Sequence, residues 1–323
     1  MNQTQYNTIN NRESKLDIIT LFSPSTTPMF SSLPRHTRIR NNIFEYFADT
    51  LNKPSRRTIA DGKDVNTFDN KAKNRVKIQN RVQIMNRPWI VSRGQEKDAD
   101  PAGVKDEIAR ARMIASLELK TDIESVIASN QSAEWVNGEE GDHTRGFISF
   151  ADPANSDIPE SVRAVAAQKA TTSSLSETNF RKVIQSIYEG GGNPDGQYTL
   201  FAQPELQNKI TGFSRISDET NGVLRAVRMS GDEKIDCAVR IYNSDWGMVV
   251  VVGDLFVGLP EDGIATDAAR RSGILLPKNS VALSFNEDLW NQDYPDLGGG
   301  KRGAVWAKFA TIAKTPRAMG SFA

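Results

Sequence analysis

The sequence predicts an α+β protein, and three patterns lead to this class. Residues 104–126 carry apolar side chains at intervals of three and four, which is the period of a helix. Residues 75–85 alternate polar and apolar side chains, as in a strand with one buried face. Residues 237–257 contain two apolar runs around a short polar turn, which indicates a β-hairpin. One long helix, several shorter helices and mixed strands are therefore expected.

The composition is that of a globular protein. The 323 residues are enough for a core divided over two or more lobes, and 38% of them are hydrophobic and 25% charged. No segment approaches the roughly 20 apolar residues of a membrane helix, so no membrane partner is expected. The polar first 15 residues contain no apolar signal-peptide core, and the protein should stay where it is made. The single cysteine, Cys237, excludes an intrachain disulfide and fits a reducing cytosol.

Charge is unevenly distributed along a chain that is neutral overall, with 40 Lys+Arg and 40 Asp+Glu. Residues 35–93 contain 14 Lys+Arg and 5 Asp+Glu, a net charge of +9, whereas residues 96–142 contain 5 and 12, a net charge of −7. Nucleic-acid binding explains only the first block. Binding of one copy to another, basic surface to acidic surface, explains both. Two solvated faces without a partner are the alternative.

The first ordered elements expected are an apolar patch and two strands. Residues 1–15 are polar and expected to be disordered, and the apolar patch that follows them ends in prolines. The strands are expected at Arg38–Leu51 and Arg75–Met85, and a polar connection with Pro54 and an Asp61-Gly62 turn joins them. A lone two-stranded ribbon is marginally stable in water, so a neighbouring subunit is a natural support for it.

The alternation in the second strand predicts two chemically different faces. One face is expected to carry Val76, Ile78, Val82 and Ile84. The opposite face is expected to carry Arg75, Lys77, Gln79, Arg81 and Gln83.

The clearest helix is expected over about residues 101–130. Asp100 is a suitable N-cap, and Pro101 occupies the first helical position, where its missing N–H costs nothing. At about 1.5 Å per residue the helix would span roughly 40–45 Å. A helix of this length is expected to act as a structural spine.

The remaining elements are expected in the order helix, strand, helix, hairpin, strand. Ser176 should cap a helix that ends at the Gly190–Gly192 run. A strand then leads to a helix opened by Pro204, and Ser244–Gly247 form the turn of the hairpin. Residues 302–314 should form the last strand.

No residue pattern indicates an enzyme, a cofactor or a metal site. The two histidines, His36 and His143, lie in polar segments, and neither forms a zinc-ligand spacing with Cys237. The glycine-rich segment 296–303 lacks the phosphate-loop spacing. The acidic residues 139–142 fit a solvated loop better than a cation site. The basic block also lacks the interleaved aromatic residues of a single-strand nucleic-acid platform.

Four stretches resemble the major capsid (major head) proteins of tailed bacteriophages, which have the Hong Kong 97-type fold. PSTTPMFSSL resembles the segment before the family's extended loop, and FEYFADTL resembles a strand of that loop. RVKIQNRVQI followed by KDEIARARMIASLELKTDIESVIASNQ resembles the return strand and the spine helix. LSETNFRKVIQSIYEGGGNP followed by IYNSDWGMVVVV resembles the first helix and a hairpin of the axial domain.

The resemblance implies a domain organisation. Residues 1–33 would be an N-terminal arm, 34–93 an extended β-hairpin loop, and 94–172 a peripheral domain with the spine helix. Residues 173–280 would be an axial domain, and 281–323 would return to the peripheral domain. It also implies hexamers and pentamers in an icosahedral shell around double-stranded DNA, with a portal protein and scaffolding or decoration proteins as further partners. Such a protein would be located in the virion after assembly in the cytoplasm of a bacterial host.

The expected contacts between subunits combine the basic face with acids on or near the spine helix. The basic set is Arg56, Arg57, Arg75, Lys77 and Arg81. The acidic set is Asp106, Glu107, Glu118, Asp122 and Glu124. Two other functions remain open: an encapsulin-like compartment shell, and a nucleic-acid-binding protein that uses the basic stretch.

Overall fold

The structure is a computed structural model, and it describes most of the chain. The described residues are 26–52, 54–64, 68, 70–97, 106–136, 141–191, 196–213, 216–217, 224–225, 240–260, 263 and 266–323. The expectations for residues 1–15, Asp100, Pro101 and Cys237 lie outside these ranges.

Helices and strands are mixed along the described chain, which confirms the α+β class. The helices are α1 (Pro28–Ser32), α2 (Arg93–Lys97), α3 (Glu107–Ile127), α4 (Phe147–Phe150), α5 (Glu177–Glu189) and α6 (Pro204–Phe213). The first eight strands are β1 (Arg35–His36), β2 (Ile43–Asp49), β3 (Arg75–Arg81), β4 (Gln83–Val91), β5 (Trp135–Val136), β6 (Gly141–Asp142), β7 (Lys169–Ala170) and β8 (Gln197–Ala202). The later strands are β9 (Ile216–Ser217), β10 (Leu224–Arg225), β11 (Ile241–Ser244), β12 (Gly247–Gly253), β13 (Gly273–Pro277), β14 (Val281–Tyr294), β15 (Lys301–Ala313) and β16 (Gly320–Phe322).

Helix α3 is shorter than the sequence predicts. Its N-cap is Asp106, whose carboxylate accepts hydrogen bonds from the N–H groups of Ile108 and Ala109 at 2.9 and 3.0 Å. Its 21 residues span about 31 Å. In the described part of the expected apolar stripe, Ala115, Leu119 and Ile123 are buried. Its other described members, Ile108, Ala111 and Val126, are partly buried against the same core.

A four-stranded sheet supports the buried side of α3. The strand order is β1-β14-β15-β4, and all neighbours except β1 and β14 are antiparallel. Helix α3 packs against β4 and β15. The long β14–β15 hairpin ends in a turn at Gly300, which has a φ of +124° and lies so close to β4 that a Cβ atom would be 2.2 Å from the Val91 carbonyl oxygen. Glycine is therefore required where this turn crosses the end of β4.

A six-stranded sheet forms the second layer, in the order β11-β12-β8-β13-β16-β7. The predicted β11–β12 hairpin and the predicted cap of α5 are both confirmed, since Ser176 accepts a hydrogen bond from the Asn179 N–H at 3.2 Å. Helices α5 and α6 bury their apolar faces in a core cluster with the strands of this sheet. Strands from residues 169–170 and 320–322 extend this sheet at its edge, so its strands come from distant parts of the chain.

The predicted strand 75–85 is interrupted at Val82, which corrects the expectation of one continuous strand. Strand β3 pairs with β2, while β4 pairs with β15 in the four-stranded sheet. The side-chain alternation changes phase at this break, because Val82 and Gln83 are both buried and Ile84 is 49% exposed. Ile84 therefore does not share the buried face of Ile78.

Helix α3 offers a direct test of this packing. Leu119 is fully buried, so Leu119→Ala should leave a cavity and lower the free energy of unfolding by about 2–5 kcal/mol. Met113→Ala changes a side chain of the same helix that is 55% exposed, and should change stability by less than about 0.5 kcal/mol. Chemical denaturation of the unassembled protein measures both. Equal effects of the two substitutions would contradict the assigned buried face.

Candidate assembly interface

The extended hairpin expected from the sequence is present as a two-stranded sheet of β2 and β3. Strands β2 and β3 pair antiparallel from Ile43 opposite Arg81 to Asp49 opposite Arg75. Residues 50–74 connect them, and they include an Asp61-Gly62 turn in which Gly62 has a φ of +77°. We call residues 43–81 the hairpin arm.

The root of the hairpin arm is fixed to the four-stranded sheet by buried hydrogen bonds. Asn80 is fully buried, and its amide nitrogen donates to the carbonyl oxygen of Thr311 on β15 at 2.8 Å. Its amide oxygen accepts from the N–H groups of Arg81 and Arg145 at 2.8 and 2.9 Å. On β2, the Tyr46 hydroxyl donates to the Ala313 carbonyl oxygen at 2.8 Å, and its burial raises the pKa of Tyr46. Both strands of the arm are thus tied to β15.

Beyond its root, the hairpin arm exposes apolar side chains. Their exposed fractions are 65% for Phe47, 97% for Leu51, 64% for Ile59 and 84% for Phe68. Clustering of large exposed apolar residues on one element is typical of surfaces that bind another protein.

Two cations of the expected basic face form ion pairs within the hairpin arm itself. The Arg75 guanidinium lies 3.0 Å from the Asp49 carboxylate, and the Lys77 ammonium lies 2.9 Å from that of Glu45. The hydrogen bond from Arg75 lowers the pKa of Asp49, and Asp49 in turn raises the pKa of Arg75. The positive charge at these two positions is therefore locally balanced.

Two further cations connect the basic block with the acidic block inside one chain. Arg81 lies 2.5 Å from Asp142 on β6, and both side chains are largely buried. Arg87 makes a bidentate contact with Asp122 on α3 at 2.5 and 2.6 Å, which raises the pKa of Arg87. Part of the complementarity between the two blocks is thus used within the subunit.

The predicted acids of α3 have different surroundings. Asp106 caps the helix, Glu107 lies in its first turn, and Glu118 is exposed. Glu124 requires a correction, because it is fully buried and accepts hydrogen bonds from the N–H groups of Met29 and Phe30. It is not part of an acidic surface.

The outer members of the predicted basic set are Arg56 and Arg57, which we call the tip arginines. Arg56 and Arg57 lie in the exposed connection of the hairpin arm. The connection of the arm therefore carries exposed apolar side chains and exposed charges, which include Arg56, Arg57 and Lys63 as well as Asp61 and Asp64, whereas balanced ion pairs lie nearer the root.

Another group of ion pairs lies at the end of the four-stranded sheet away from the root of the hairpin arm. Arg93 lies 2.8 Å from Asp296, in the turn between β14 and β15, and Arg112 lies 2.8 Å from Asp293. The hydrogen bonds from Arg93 and from the N–H groups of Gly298 and Gly300 lower the pKa of Asp296 to about 2. These contacts hold the turn against the start of α2 and against α3.

Sequence reasoning missed Asn80, Asp49 and Glu45. Asn80 has the same spacing as Val76, Ile78 and Val82, so a polar residue within an apolar alternation was the available signal. Asp49 and Glu45 become partners of Arg75 and Lys77 only through the register of β2 and β3, which the sequence does not state.

Neither a metal site nor a membrane span is found in the part of the chain that the structure describes. No group of three or more His, Cys, Asp or Glu side chains there is arranged to hold a metal ion. No helix there combines the length and apolar character that crossing a membrane requires.

Comparison with solved structures defines the class of protein. The capsid of Cyanophage P-SCSP1u superposes with a TM-score of 0.62 at 10% identity, over 97% of this chain and 92% of that chain. The capsid of a native GTA particle gives 0.60 at 11% identity, over 97% and 94%. A structure from Mycobacterium phage Bobi gives 0.61 at 10% identity, over 97% and 95%. The chain thus has the Hong Kong 97-type capsid fold, as expected from the resemblance.

A protein-family model identifies the family within this class. The model described as SU10 major capsid protein matches residues 2–323. The chain belongs to this family, and it is a structural protein that forms the icosahedral shell of a virion. A search of curated proteins gives no match.

The root of the hairpin arm is testable through Asn80. Asn80→Ala removes the acceptor of the buried Arg145 N–H and the donor to the Thr311 carbonyl, and should destabilise the unassembled protein by about 1–3 kcal/mol. Asn52→Ala removes an exposed side-chain amide in the same arm and should have an effect below about 0.5 kcal/mol. Chemical denaturation of both variants is the measurement. An Asn80→Ala protein as stable as Asn52→Ala would show that these hydrogen bonds do not anchor the arm.

Proposed function

We propose that this chain forms hexamers and pentamers that close into the head of a tailed phage around double-stranded DNA. Assembly takes place in the cytoplasm of a bacterial host, with a portal protein and with scaffolding or decoration proteins as partners. The role is structural and not enzymatic. DNA contacts are non-specific, since the chain is neutral overall and its basic block is partly paired with acids.

The observation that carries this proposal is the exposed apolar surface of the hairpin arm. Phe47, Leu51, Ile59 and Phe68 all lie on an arm that is hydrogen-bonded to its own subunit mainly near its root. A two-stranded ribbon gains little stability on its own, so burial of these side chains on a neighbouring copy accounts for both the exposure and the projection. A contact of arm to body is heterologous, and such contacts generate rings when the rotation closes.

The proposed domain roles follow the expected division of the chain. Residues 1–33 are the N-terminal arm, 34–93 the extended loop, 94–172 the peripheral domain, 173–280 the axial domain and 281–323 the return to the peripheral domain. Two core clusters support a peripheral and an axial part, one around α3 and one between α5, α6 and the six-stranded sheet. Strand β16 joins the axial sheet at the end of the return segment.

Two alternative functions are less well supported. An encapsulin-like compartment shell would use the same architecture, but the family match is to a major capsid protein. A nucleic-acid-binding protein would need the basic face to be available, whereas Arg75, Lys77 and Arg81 each pair with an acid of the same chain.

The charged part of the proposed contact consists of the tip arginines and two acids of α3, the half-buried Glu107 and the exposed Glu118. Arg75, Lys77 and Arg81 are poor positions for a charge-reversal test, because reversing them would also break ion pairs inside the subunit. Arg56 and Arg57, with Glu107 and Glu118 as their partners on a neighbouring copy, are better positions.

Charge reversal at the tip should prevent shell closure. The double variant Arg56→Glu with Arg57→Glu should lower the yield of closed shells at least about tenfold, because the like charges then repel across the contact. Negative-stain microscopy and sedimentation velocity of the full chain measure this yield. Arg56→Lys with Arg57→Lys keeps the charge and should assemble almost normally.

The proposed partners are tested by a charge exchange. Adding Glu107→Arg and Glu118→Arg to the reversed tip should restore closed shells, because the attraction is then re-formed with opposite signs. If the reversed tip alone assembles normally, the electrostatic contact is wrong. If the exchange fails to restore assembly, the tip contacts residues other than Glu107 and Glu118.

A further inference from the structure

Three elements from distant parts of the chain meet at two buried carboxyl groups. Glu124 lies in the last turns of α3, and Asp254 follows directly after β12 of the six-stranded sheet. The third element is α1, at the start of the described N-terminal part. Glu124 is fully buried and Asp254 is 2% exposed.

Glu124 acts as the missing N-cap of α1. Thr27, at the cap position, makes no side-chain capping hydrogen bond. Instead, the two carboxylate oxygens of Glu124 accept from the N–H groups of Met29 and Phe30, each at 2.7 Å. These N–H groups lie in the first turn of a helix and have no acceptor within it. The root of the N-terminal arm is therefore hydrogen-bonded to α3 through the Glu124 side chain, in addition to the packing of Met29 and Leu33 in the core around α3.

Asp254 places the end of β12, a strand of the six-stranded sheet, beside the contact between Glu124 and α1. One of its carboxyl oxygens accepts from the Phe256 N–H at 2.9 Å. The other oxygen is buried and has no hydrogen-bond donor among the described residues. The segment that follows Asp254 is bound to the end of α3, because the Gly258 N–H donates to the Ala128 carbonyl oxygen at 2.9 Å, and the two carboxyl groups are near enough to influence each other's protonation. Two carboxyl groups can hydrogen-bond to each other only if one of them carries a proton.

No described cation compensates this pair. Helix α1 (PMFSS) carries no charge, and Asp254 is the only charged residue in the segment 254–259. Nearby acids are paired elsewhere, Asp122 with Arg87 and Glu205 with Arg271. Lys120, one turn before Glu124 on α3, forms no ion pair with either carboxyl group in the described part of the chain.

Burial and mutual repulsion both favour the protonated form. Burial, and then the charge of Asp254, raise the pKa of Glu124 from 4.5 to about 8, and burial also raises the pKa of Asp254. Both effects favour a pair that carries one proton at neutral pH. Asp254 borders a cavity of about 250 Å³ together with Thr26 and Gln207, which gives the pair a short path to solvent.

We propose that the proton shared by Glu124 and Asp254 is a latch that joins α1, the spine helix α3 and the six-stranded sheet. Loss of this proton in mildly alkaline solution places two negative charges in a buried site without a counter-ion. Separation of the carboxyl groups relieves this repulsion. Because α1 occupies both oxygens of Glu124, hydration of the Glu124 charge requires a local opening of α1 at the root of the N-terminal arm.

The direction of the pH dependence follows from proton linkage. The folded protein keeps a proton that the unfolded chain loses above pH 4.5. The stability provided by the latch is therefore complete below about pH 4.5, and decreases as the pH rises toward about 8. The latch is closed in acidic and neutral solution and opens in alkaline solution.

Hydrogen exchange of the Met29 and Phe30 amides in the full chain tests the latch. The protection factor, corrected for the intrinsic exchange rate, should fall at least about tenfold between pH 6 and pH 9 in the wild-type protein. Asp254→Asn should abolish this fall, because the asparagine can accept from the Phe256 N–H and donate its amide to Glu124 at any pH. Glu160→Gln changes an exposed carboxyl group and should preserve the wild-type fall.

A second variant separates the latch from a general loss of folding. Glu124→Gln removes one of the two acceptors for the α1 amides, and should lower their protection at both pH values while amides of α5 remain protected. The proposal is overturned if Asp254→Asn shows the same pH-dependent loss as the wild-type protein. It is equally overturned if the wild-type protection does not change with pH.

Discussion

A two-stranded hairpin cannot bury the side chains of both its faces, and this constraint organises the rest of the structure. At the root of the hairpin arm, Asn80 and Tyr46 on its inner face are hydrogen-bonded to β15. In the described residues of the connection 50–74 no hydrogen bond to β15 is found, and apolar side chains such as Leu51 and Phe68 are exposed there. In the proposed assembly a neighbouring copy covers these apolar side chains, so the stability of the arm is coupled to the assembly of the shell.

The distribution of charge stabilises the subunit, and we propose that it also serves assembly. The basic and acidic blocks meet within one chain at Arg81–Asp142 and Arg87–Asp122. These pairs bind β3 to β6 and β4 to α3, and they leave little net charge near the root of the arm. The exposed cations Arg56 and Arg57 lie farther out, where the proposed electrostatic contact would guide the approach of a second subunit without breaking an ion pair of the first.

Local signals in the sequence predicted most elements, and contacts between distant residues account for the errors. Ser176 and Pro204 act at the helix starts that they predict, because capping depends on neighbours within one turn. The break at Val82 was missed because the partner strand changes there: β3 pairs with β2, whereas β4 pairs with β15. The alternation of polar and apolar side chains does not indicate which strand is the partner. Glu124 was placed on the surface because its true partners, Met29 and Phe30, lie 94 and 95 residues away along the chain.

The most direct test of the central claim is a side-chain-resolution electron cryomicroscopy reconstruction of shells assembled from the full chain. We expect Phe47, Leu51, Ile59 and Phe68 to be buried against an adjacent subunit, with the root still bound to β15 through Asn80. Shells in which the hairpin arm extends into solvent, with these four side chains as exposed as in the single subunit, would contradict the account.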